Sequence, residues 1–298
     1  MKPITFSLLS LLLALNAATA SPEPQLLRPT YHSNALNAER GYLLYLPPNF
    51  DERDKWPVIL FLHGNGERGD GKGELDYLLN HGPLFEAWCQ RRDLPFIILS
   101  PQMPMEDQGE VNYIKYRKPA DIPRRLASGR HPYPSHYTGK DPMQGQLSED
   151  FLKVPGNPLA VRRGWSLLAN EVMGNLDHVI AKYRGDPSRV YLTGISMGGF
   201  GTWILASEHP DRFAAIAPVA GFGMIDMAPS LVKMPLWVFA GGRDATVKLA
   251  YFYPALNALE KLGHKDVRFT IEADMGHDVW RRVYAGRDLY DWFLSHSK

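Results

Sequence analysis

One short segment of the sequence carries the residue types of a nucleophilic site. Residues 193–201 have the sequence TGISMGGFG, and Ser196 lies at the centre of a Gly-x-Ser-x-Gly pattern. Because the pattern follows the apolar run 190–192 and precedes a helical segment, it predicts a tight strand-to-helix turn that exposes the serine hydroxyl. Gly194 and Gly198 leave room for that turn. The chemistry predicted for this arrangement is attack by the serine oxygen on a carbonyl carbon.

A serine hydroxyl needs a base to accept its proton, and the base needs an acid to orient it. Since Gly-x-Ser-x-Gly also arises by accident in a glycine-rich chain, these two partners distinguish a nucleophile from an ordinary loop serine. Asp244 follows the apolar run 236–240, and His277 follows the run 267–271. Both come after Ser196 in the order serine, acid, histidine, each beyond a successive predicted strand. The sequence therefore predicts a triad of Ser196, Asp244 and His277.

Other acidic residues compete for the place of Asp244. Asp274 and Asp278 flank the histidine in its own loop, and Asp226 follows the predicted strand that ends at Val219. The acid of such a triad normally approaches the histidine from the loop of the neighbouring strand, which favours Asp244. The other three carboxyl groups stay as alternatives.

Attack on a carbonyl leaves negative charge on its oxygen, which backbone amides can stabilise. The amide of Met197 begins the helix after the serine, and that of Asn65 lies in the loop after the predicted strand 58–62. We predict that these two amides form an oxyanion hole. The same loop contains a literal Gly-x-Gly-x-x-Gly and a near phosphate-loop pattern. No helix follows the first pattern at once, and Gly73 replaces the Ser or Thr that the second requires, so neither indicates a nucleotide site.

Alternating elements must position these residues. Apolar patterns predict strands at 42–46, 58–62, 96–100, 190–193, 214–219, 236–240 and 267–271. They predict helices at 74–89 (with a break at Gly82-Pro83), 170–183, 197–207, 250–262 and 279–294, and a turn at 186–188. Strands that alternate with helices indicate an α/β fold, with a mainly parallel sheet and helices on both faces. We expect a single catalytic domain over residues 21–298.

Residues 103–165 interrupt this alternation. The segment is rich in Pro, Gly, Tyr and basic residues, and it falls on the side of the sheet where ligands bind, so we predict a lid over the substrate. A solvated insertion without function is the alternative. Its tyrosines could stack on sugar or phenolic rings and its cations could bind a carboxylate, or the tyrosines could pack the loop itself. Candidate substrate-binding residues are Tyr113, Tyr116, Tyr133, Tyr137 and Arg130, with Trp280 either lining the acyl pocket or packing in the core.

The N-terminal residues and the overall charge bear on location and partners. Lys2, the apolar run 4–15 and the segment 18–20 (ATA) predict a signal peptide cleaved after Ala20, with an uncleaved anchor as the alternative. The mature chain is then expected in a periplasm or outside the cell, without stable membrane association. A net charge of +1 gives no electrostatic footprint for nucleic acid. We expect no metal or other cofactor, because the His and acidic residues lack ligand spacing.

Four segments together carry a resemblance to a known superfamily. They are residues 62–71 (LHGNGERGDG), 194–203 (GISMGGFGTW), 241–247 (GGRDATV) and 276–280 (GHDVW). Over most of residues 42–296 the chain resembles the α/β-hydrolase superfamily. Within it, the chain is similar to the secreted carboxylesterases often labelled predicted peptidases, which are related to feruloyl esterases and polyhydroxybutyrate depolymerases. The insert 103–165 departs from that branch.

This resemblance implies catalytic roles for Ser196, Asp244 and His277, with Met197 and Asn65 as amide donors. The expected reaction is hydrolysis of a carboxylic ester through an acyl-enzyme. The expected substrate is a small-molecule or oligosaccharide ester, such as an acyl or feruloyl ester on a plant or microbial polysaccharide. A serine peptidase with the same triad, and a non-catalytic carbohydrate-binding protein on a hydrolase scaffold, stay as alternatives. The intact set of three residues argues against a pure binder.

Overall fold

A nine-stranded sheet runs through the part of the chain that the structure describes, residues 23–131 and 164–298. Its strands are β1 (Gln25–Leu27), β2 (Thr30–Ser33), β3 (Ala38–Leu46), β4 (Trp56–Leu62), β5 (Ile97–Pro101), β6 (Gly185–Ile195), β7 (Ala215–Val219), β8 (Leu236–Gly241) and β9 (Val267–Glu272). In this computed structural model the strand order is β1-β3-β5-β4-β6-β7-β8-β9, and β2 pairs with β3.

Strands β4 to β9 are parallel to their neighbours, whereas β3 runs antiparallel to β5, and β1 and β2 run antiparallel to β3. The mainly parallel sheet expected from the sequence is confirmed. Strand β4 lies at its centre and is buried along its whole length. Its sequence WPVILFL is almost entirely apolar because both faces of a central parallel strand are covered.

Helices cover both faces of the sheet. The α-helices are Gly82–Leu84, Asn112–Lys115, Ala169–Lys182, Met197–Glu208, Ala228–Leu231, Tyr253–Lys261, Trp280–Ala285 and Asp288–Leu294. Single 3₁₀ turns occur at Phe50–Glu52, Asn65–Glu67, Leu75–Leu79, Glu106–Gln108, Pro119–Asp121, Pro210–Arg212, Ile225–Met227 and Leu249–Tyr251, and a π-helical turn at Phe85–Cys89. Within the described ranges, no helix combines the length and the apolar character needed to cross a bilayer.

Two apolar cores lie against opposite faces of the sheet. Along β4, Val58 and Leu60 belong to one core, while Ile59 and Phe61 belong to the other. This division follows from the alternation of side chains along a strand. The sheet is therefore a rigid platform, and its carboxyl edge is available for loops that carry chemistry.

Two of the predicted helices are broken in the structure. The segment 74–89, predicted as a helix with a break at Gly82-Pro83, has that break and consists of three short turns, because Gly82 adopts φ of +81° and Pro83 follows it. The predicted helix 279–294 is divided at Gly286, whose extended backbone separates two shorter helices. In both cases an apolar pattern with helical spacing continues across a residue that interrupts the backbone hydrogen bonds.

Strand β6 begins earlier than the sequence predicts. Trp56 pairs with Gly185 and Val58 pairs with Val190, so residues 186–189 form an irregularity within the strand rather than a turn before it. The side chain of Asp186 accepts a hydrogen bond from the Ser188 amide at 3.0 Å and stabilises this irregularity. The short strands β1 and β2 have no clear alternation and were not predicted.

The insert is described as far as residue 131. This part contains the short helical turns Glu106–Gln108, Asn112–Lys115 and Pro119–Asp121, which the irregular sequence did not indicate. Residues 132–163 lie outside the described residues, as does the predicted signal peptide 1–20. The role of the insert as a lid therefore stays a prediction.

A large-to-small change in β4 tests the importance of the central strand for stability. Leu60 is fully buried and pairs with Leu99 on one side and Leu192 on the other. We expect Leu60→Ala to lower the free energy of unfolding by about 2 to 5 kcal/mol, measured by urea denaturation. Leu262→Ala removes the same atoms from a half-exposed side chain and is the control, with an expected change within about 0.5 kcal/mol. Equal losses in the two variants would contradict this assignment of the core.

Candidate active site

Ser196 occupies a strained turn between β6 and the helix Met197–Glu208. Its backbone has φ of +50° and ψ of −113°, a region that residues with side chains rarely adopt. A Cβ atom on Gly198 would lie 1.9 Å from the Leu62 carbonyl oxygen, so only glycine allows the new helix to approach β4 this closely. The Ser196 amide donates to the Val219 carbonyl at 2.9 Å. Both neighbouring strands thus hold the turn in place.

The structure brings Ser196, His277 and Asp244 into one hydrogen-bonded chain. The serine Oγ lies 2.8 Å from Nε2 of His277, and Nδ1 of the same ring lies 2.7 Å from Oδ2 of Asp244. With the carboxyl group ionised, Nδ1–H donates to Asp244 and the serine hydroxyl donates to Nε2. The second oxygen of Asp244 accepts the amides of Thr246 and Val247, both at 2.8 Å. These bonds fix the carboxyl group and, through it, the orientation of the imidazole.

The alternative acidic residues lie elsewhere. Asp274 accepts two hydrogen bonds from Arg282, at 2.7 and 2.8 Å, and these bonds lower its pKa to about 2. Asp278 lies 3.6 Å from the guanidinium of Arg281. Asp226 lies in the 3₁₀ turn Ile225–Met227. The carboxyl group in contact with His277 is that of Asp244.

Asn65 and Met197, the two residues predicted as amide donors, each begin a helical turn near the serine. Asn65 is the first residue of the turn Asn65–Glu67, and Met197 is the first residue of the helix that follows Ser196. The first amides of a helix have no acceptor within it, so they are available to an anion. Asn65 and Ser196 line the same cavity. The geometry is compatible with an oxyanion site between the two turns.

His63 attaches the loop that carries Asn65 to the sheet. Its ring is fully buried, Nδ1 donates to the Gly64 carbonyl at 2.5 Å, and Nε2 accepts the Met103 amide at 2.9 Å. Burial lowers the pKa of His63 to about 3, so the ring is neutral and can play both roles at once. The residue therefore connects the end of β4 to the segment that follows β5.

Comparisons with known proteins agree with this architecture. The sequence profile of the prolyl oligopeptidase family matches residues 168–234, which include the serine but neither Asp244 nor His277. A solved structure of a thermostable esterase superposes with a TM-score of 0.59 at 23% identity, covering 92% of this chain and 63% of that one. The chain has the α/β-hydrolase fold. At 23% sequence identity, this structural similarity shows a shared fold and nothing more.

Two curated relatives match the chain over short segments. Poly(3-hydroxyalkanoate) depolymerase C from Paucimonas lemoignei is 50% identical over 46 residues, which is 15% of this chain and 11% of the relative. Feruloyl esterase B from Neurospora crassa is 40% identical over 50 residues, which is 17% of each protein. The matches thus span less than a fifth of either relative.

A cavity of about 580 Å³ opens at the serine, and three tyrosines and a tryptophan form part of its wall. Tyr113 and Tyr116 lie at its rim, both about two-thirds exposed, and Tyr77 lies deeper. Trp280 is half-buried and lines the cavity, with its ring edge-on to His277 at a centroid distance of 5.2 Å. The structure thus places three of the candidate substrate-binding residues beside the serine.

Among the described candidates, Arg130 does not line this cavity. Arg130 lies in a neighbouring cavity of about 760 Å³, which shares Asn80, His81, Asp121 and Trp280 with the first. The predicted role of Arg130 in substrate binding therefore stays a prediction. Tyr133 and Tyr137 lie outside the described residues.

Sequence reasoning did not single out Glu67 and His81, which lie in the cavity wall. Oε1 of Glu67 is 3.7 Å from Nε2 of His81, and Oε2 is 4.0 Å from Nδ1 of His63. Burial raises the pKa of Glu67 to about 7 and lowers that of His81 to about 4. The sequence signal for Glu67 was its position in the same loop as Asn65, and His81 had no such signal.

Glu67 is expected to make stability depend on pH. Its pKa is about 7 in the folded state against 4.5 as reference, so between these values the folded chain holds a proton that the unfolded chain has released. Stability from this group is complete below pH 4.5 and is lost as the pH rises through 7. Glu67→Gln lacks this loss, so its free energy of unfolding relative to the wild type should rise by about 3 kcal/mol from pH 4.5 to pH 8.

Denaturant unfolding of both proteins at several pH values measures this difference. His63 and His81 titrate in both proteins, so their contributions cancel in the comparison. Glu260→Gln, on the exposed side of the helix Tyr253–Lys261, controls for the amide substitution itself. A difference between wild type and Glu67→Gln that is the same at pH 5 and pH 8 would show that burial does not shift this group.

Proposed function

We propose that this chain is a carboxylic ester hydrolase in which Ser196 is the nucleophile, His277 the general base and Asp244 the orienting acid. The observation that carries the proposal is the continuous hydrogen-bonded chain from the buried carboxylate through the imidazole to a hydroxyl that faces a cavity. A serine in an ordinary glycine-rich loop has no need of a base at 2.8 Å or of an acid held by two amides.

Each group has a definite part in the proposed reaction. His277 Nε2 takes the hydroxyl proton as Ser196 Oγ bonds to the ester carbonyl carbon, and the amides of Met197 and Asn65 bind the resulting oxyanion. Collapse of this intermediate breaks the bond to the alcohol, which leaves with the proton from His277. A water molecule then gives a proton to the same nitrogen and attacks the acyl-enzyme, which releases the acid and restores the serine hydroxyl.

Ester cleavage is favoured over the two alternatives. Proteins named esterase or depolymerase are similar to the chain in sequence or in fold, although each sequence match is short. The profile match to the prolyl oligopeptidase family is the observation that favours a peptidase, and it covers the elements around the serine that both classes share. A pure carbohydrate binder has no use for the complete serine, histidine and acid arrangement.

The accessible aromatic residues of the cavity favour a substrate that contains a ring. Tyr113, Tyr116 and Trp280 present flat apolar surfaces that can stack on a phenolic or sugar ring, whereas the buried ring of Tyr77 is covered by the Arg117 guanidinium at 4.0 Å. One curated relative is named a feruloyl esterase, which agrees with a ring on the acyl side. The substrate class of the proposal is therefore an aromatic acyl or glycan-linked ester. The proposal includes export, for which the sequence of residues 1–20 is the support.

Substitution of the nucleophile tests the proposal directly. Hydrolysis of p-nitrophenyl acetate, p-nitrophenyl butyrate and methyl ferulate is measured for the mature protein and for Ser196→Ala. We expect kcat/KM to fall by about 10⁴- to 10⁶-fold in the variant, and by about 10⁴-fold in Asp244→Asn, because both disrupt the same unit. Asp278→Asn changes a neighbouring carboxyl group in the histidine loop and is the matched control, with activity near wild type. Wild-type activity in Ser196→Ala, or cleavage of peptide amides in preference to all three esters, would overturn the proposal.

Removal of one rim aromatic tests the expected substrate class. Tyr116 is two-thirds exposed and lines the cavity, so Tyr116→Ala should leave the reacting groups and the fold intact. We expect KM for methyl ferulate to rise about three- to tenfold through lost ring contact, with little change for ethyl acetate. Tyr116→Phe should keep the wild-type values. Equal effects of Tyr116→Ala on both esters would argue against ring recognition at this position.

A further inference from the structure

Arg68 contacts the side chains of both residues whose amides are predicted to form the oxyanion site. It follows the turn Asn65–Glu67 and is 5% exposed, although arginine is seldom buried without partners. Its guanidinium is the donor in four interactions that the structure describes. The partners belong to three separate parts of the chain: the loop after β4, the start of the insert, and the turn at the serine.

Two of these interactions reach the side chains of both predicted oxyanion donors. Nε donates to Oδ1 of Asn65 at 2.7 Å, and Nη2 lies 3.1 Å from Sδ of Met197. Asn65 and Met197 are 132 positions apart in the sequence and belong to different elements. The planar guanidinium is thus a rigid bridge between the residues whose amides must converge on one oxygen atom.

The other two interactions anchor the guanidinium to the insert. Nη1 donates to the Pro104 carbonyl and to Oε2 of Glu106, both at 2.8 Å. The Asn65 side chain makes its own bonds to the insert, since Nδ2 donates to the Tyr113 hydroxyl at 2.8 Å and to Oε1 of Gln108 at 3.1 Å. The start of the insert therefore supports the loop through several hydrogen bonds.

We propose that Arg68 is a positioning residue that sets the distance between the Asn65 and Met197 amides, and that the start of the insert holds Arg68 in place. This inference rests on the proposed function, because it assigns a role within the same reaction. An oxyanion site works only when its donors lie about 2.7 to 3.1 Å from the charged oxygen, and a misplacement of about 1 Å can cost about 100-fold in rate. Lysine cannot reproduce the bridge, because its single ammonium group cannot span partners that the guanidinium fork reaches from separate nitrogens.

Arg92 provides a matched control for the loss of a buried arginine. It is 6% exposed and donates to a carboxylate, Glu86, and to the carbonyls of Tyr284 and Gly286. None of these partners lines the cavity at the serine. Arg68→Lys and Arg92→Lys therefore make the same chemical change at similar burial, and only the first touches the residues of the predicted oxyanion site.

The test measures kcat, KM and thermal stability of both variants on p-nitrophenyl acetate. We expect kcat of Arg68→Lys to fall about 10- to 100-fold with KM changed less than about threefold, because the lost interaction acts in the transition state. The inhibition constant of phenylboronic acid, which forms a tetrahedral adduct with a serine oxygen, should rise by a similar factor. Arg92→Lys should keep kcat and boronate affinity while losing a comparable amount of thermal stability. Equal kcat in the two variants, or unchanged boronate affinity in Arg68→Lys, would overturn the inference.

A double-variant comparison tests whether Arg68 acts through the Asn65 side chain. Asn65→Ala removes Oδ1 but keeps the backbone amide. If the bridge operates as proposed, Arg68→Lys should lower kcat much less in the Asn65→Ala background than in the wild type, because the link is already broken. Fully multiplicative effects would contradict the bridge.

Failure of this inference is distinguishable from failure of the proposed function. If the wild-type protein hydrolyses none of the esters, or if Ser196→Ala is as active as the wild type, the proposed function itself is wrong. If the wild type is active and Ser196→Ala is not, yet Arg68→Lys behaves like Arg92→Lys, only the role of Arg68 is wrong.

Discussion

The geometry at the serine depends on a close approach of three backbone segments. Ser196 can hold φ of +50° only because β4 and β7 lie on either side of its turn. Gly198 contributes because it has no side chain, which allows the turn to pack directly against the Leu62 carbonyl oxygen of β4. Strain of this kind persists where the surrounding structure determines the backbone. A central, fully buried β4 is the support for that turn, and the same strand ends at His63, which attaches the next loop. One strand of the sheet thereby positions both the nucleophile and the loop expected to face it.

The ionisable side chains of the loop after β4 are either held neutral by burial or paired with partners of suitable charge. The loop carries a buried histidine, a buried glutamic acid and a buried arginine in succession, next to a cavity where negative charge is expected to develop. His63 is neutral because burial lowers its pKa to about 3, Glu67 has its pKa raised to about 7, and Arg68 has carboxylate and carbonyl partners. Below neutral pH the loop therefore places little negative charge near the proposed oxyanion. Negative charge there would repel the oxyanion and destabilise the intermediate.

The described part of the insert makes contacts with the site that its composition did not indicate. This part forms short helical turns that contact Asn65 and Arg68 and contribute Tyr113 and Tyr116 to the rim of the cavity. Local patterns could not show this, because the turns are held by hydrogen bonds to a loop about forty residues earlier. The break at Gly82-Pro83 was predicted because glycine and proline are recognisable helix breakers, whereas the break at Gly286 was missed because apolar residues with helical spacing continue past it.

By itself the sequence determined the alternation of strands and helices, the α/β class, and the order of a serine, an acid and a histidine, each beyond the end of a strand. These follow from local chemistry: apolar runs of strand length, glycines around the serine, and polar residues where runs end. Only the tertiary structure decided which carboxyl group contacts His277, that Trp280 lines the cavity, that Arg130 lies in the neighbouring one, and that Arg68 touches both predicted oxyanion donors. Those outcomes depend on distances between segments that are remote in the chain. The distances are set by the order of β6, β8 and β9 in the sheet and by the hydrogen bonds that the buried polar groups of each loop make.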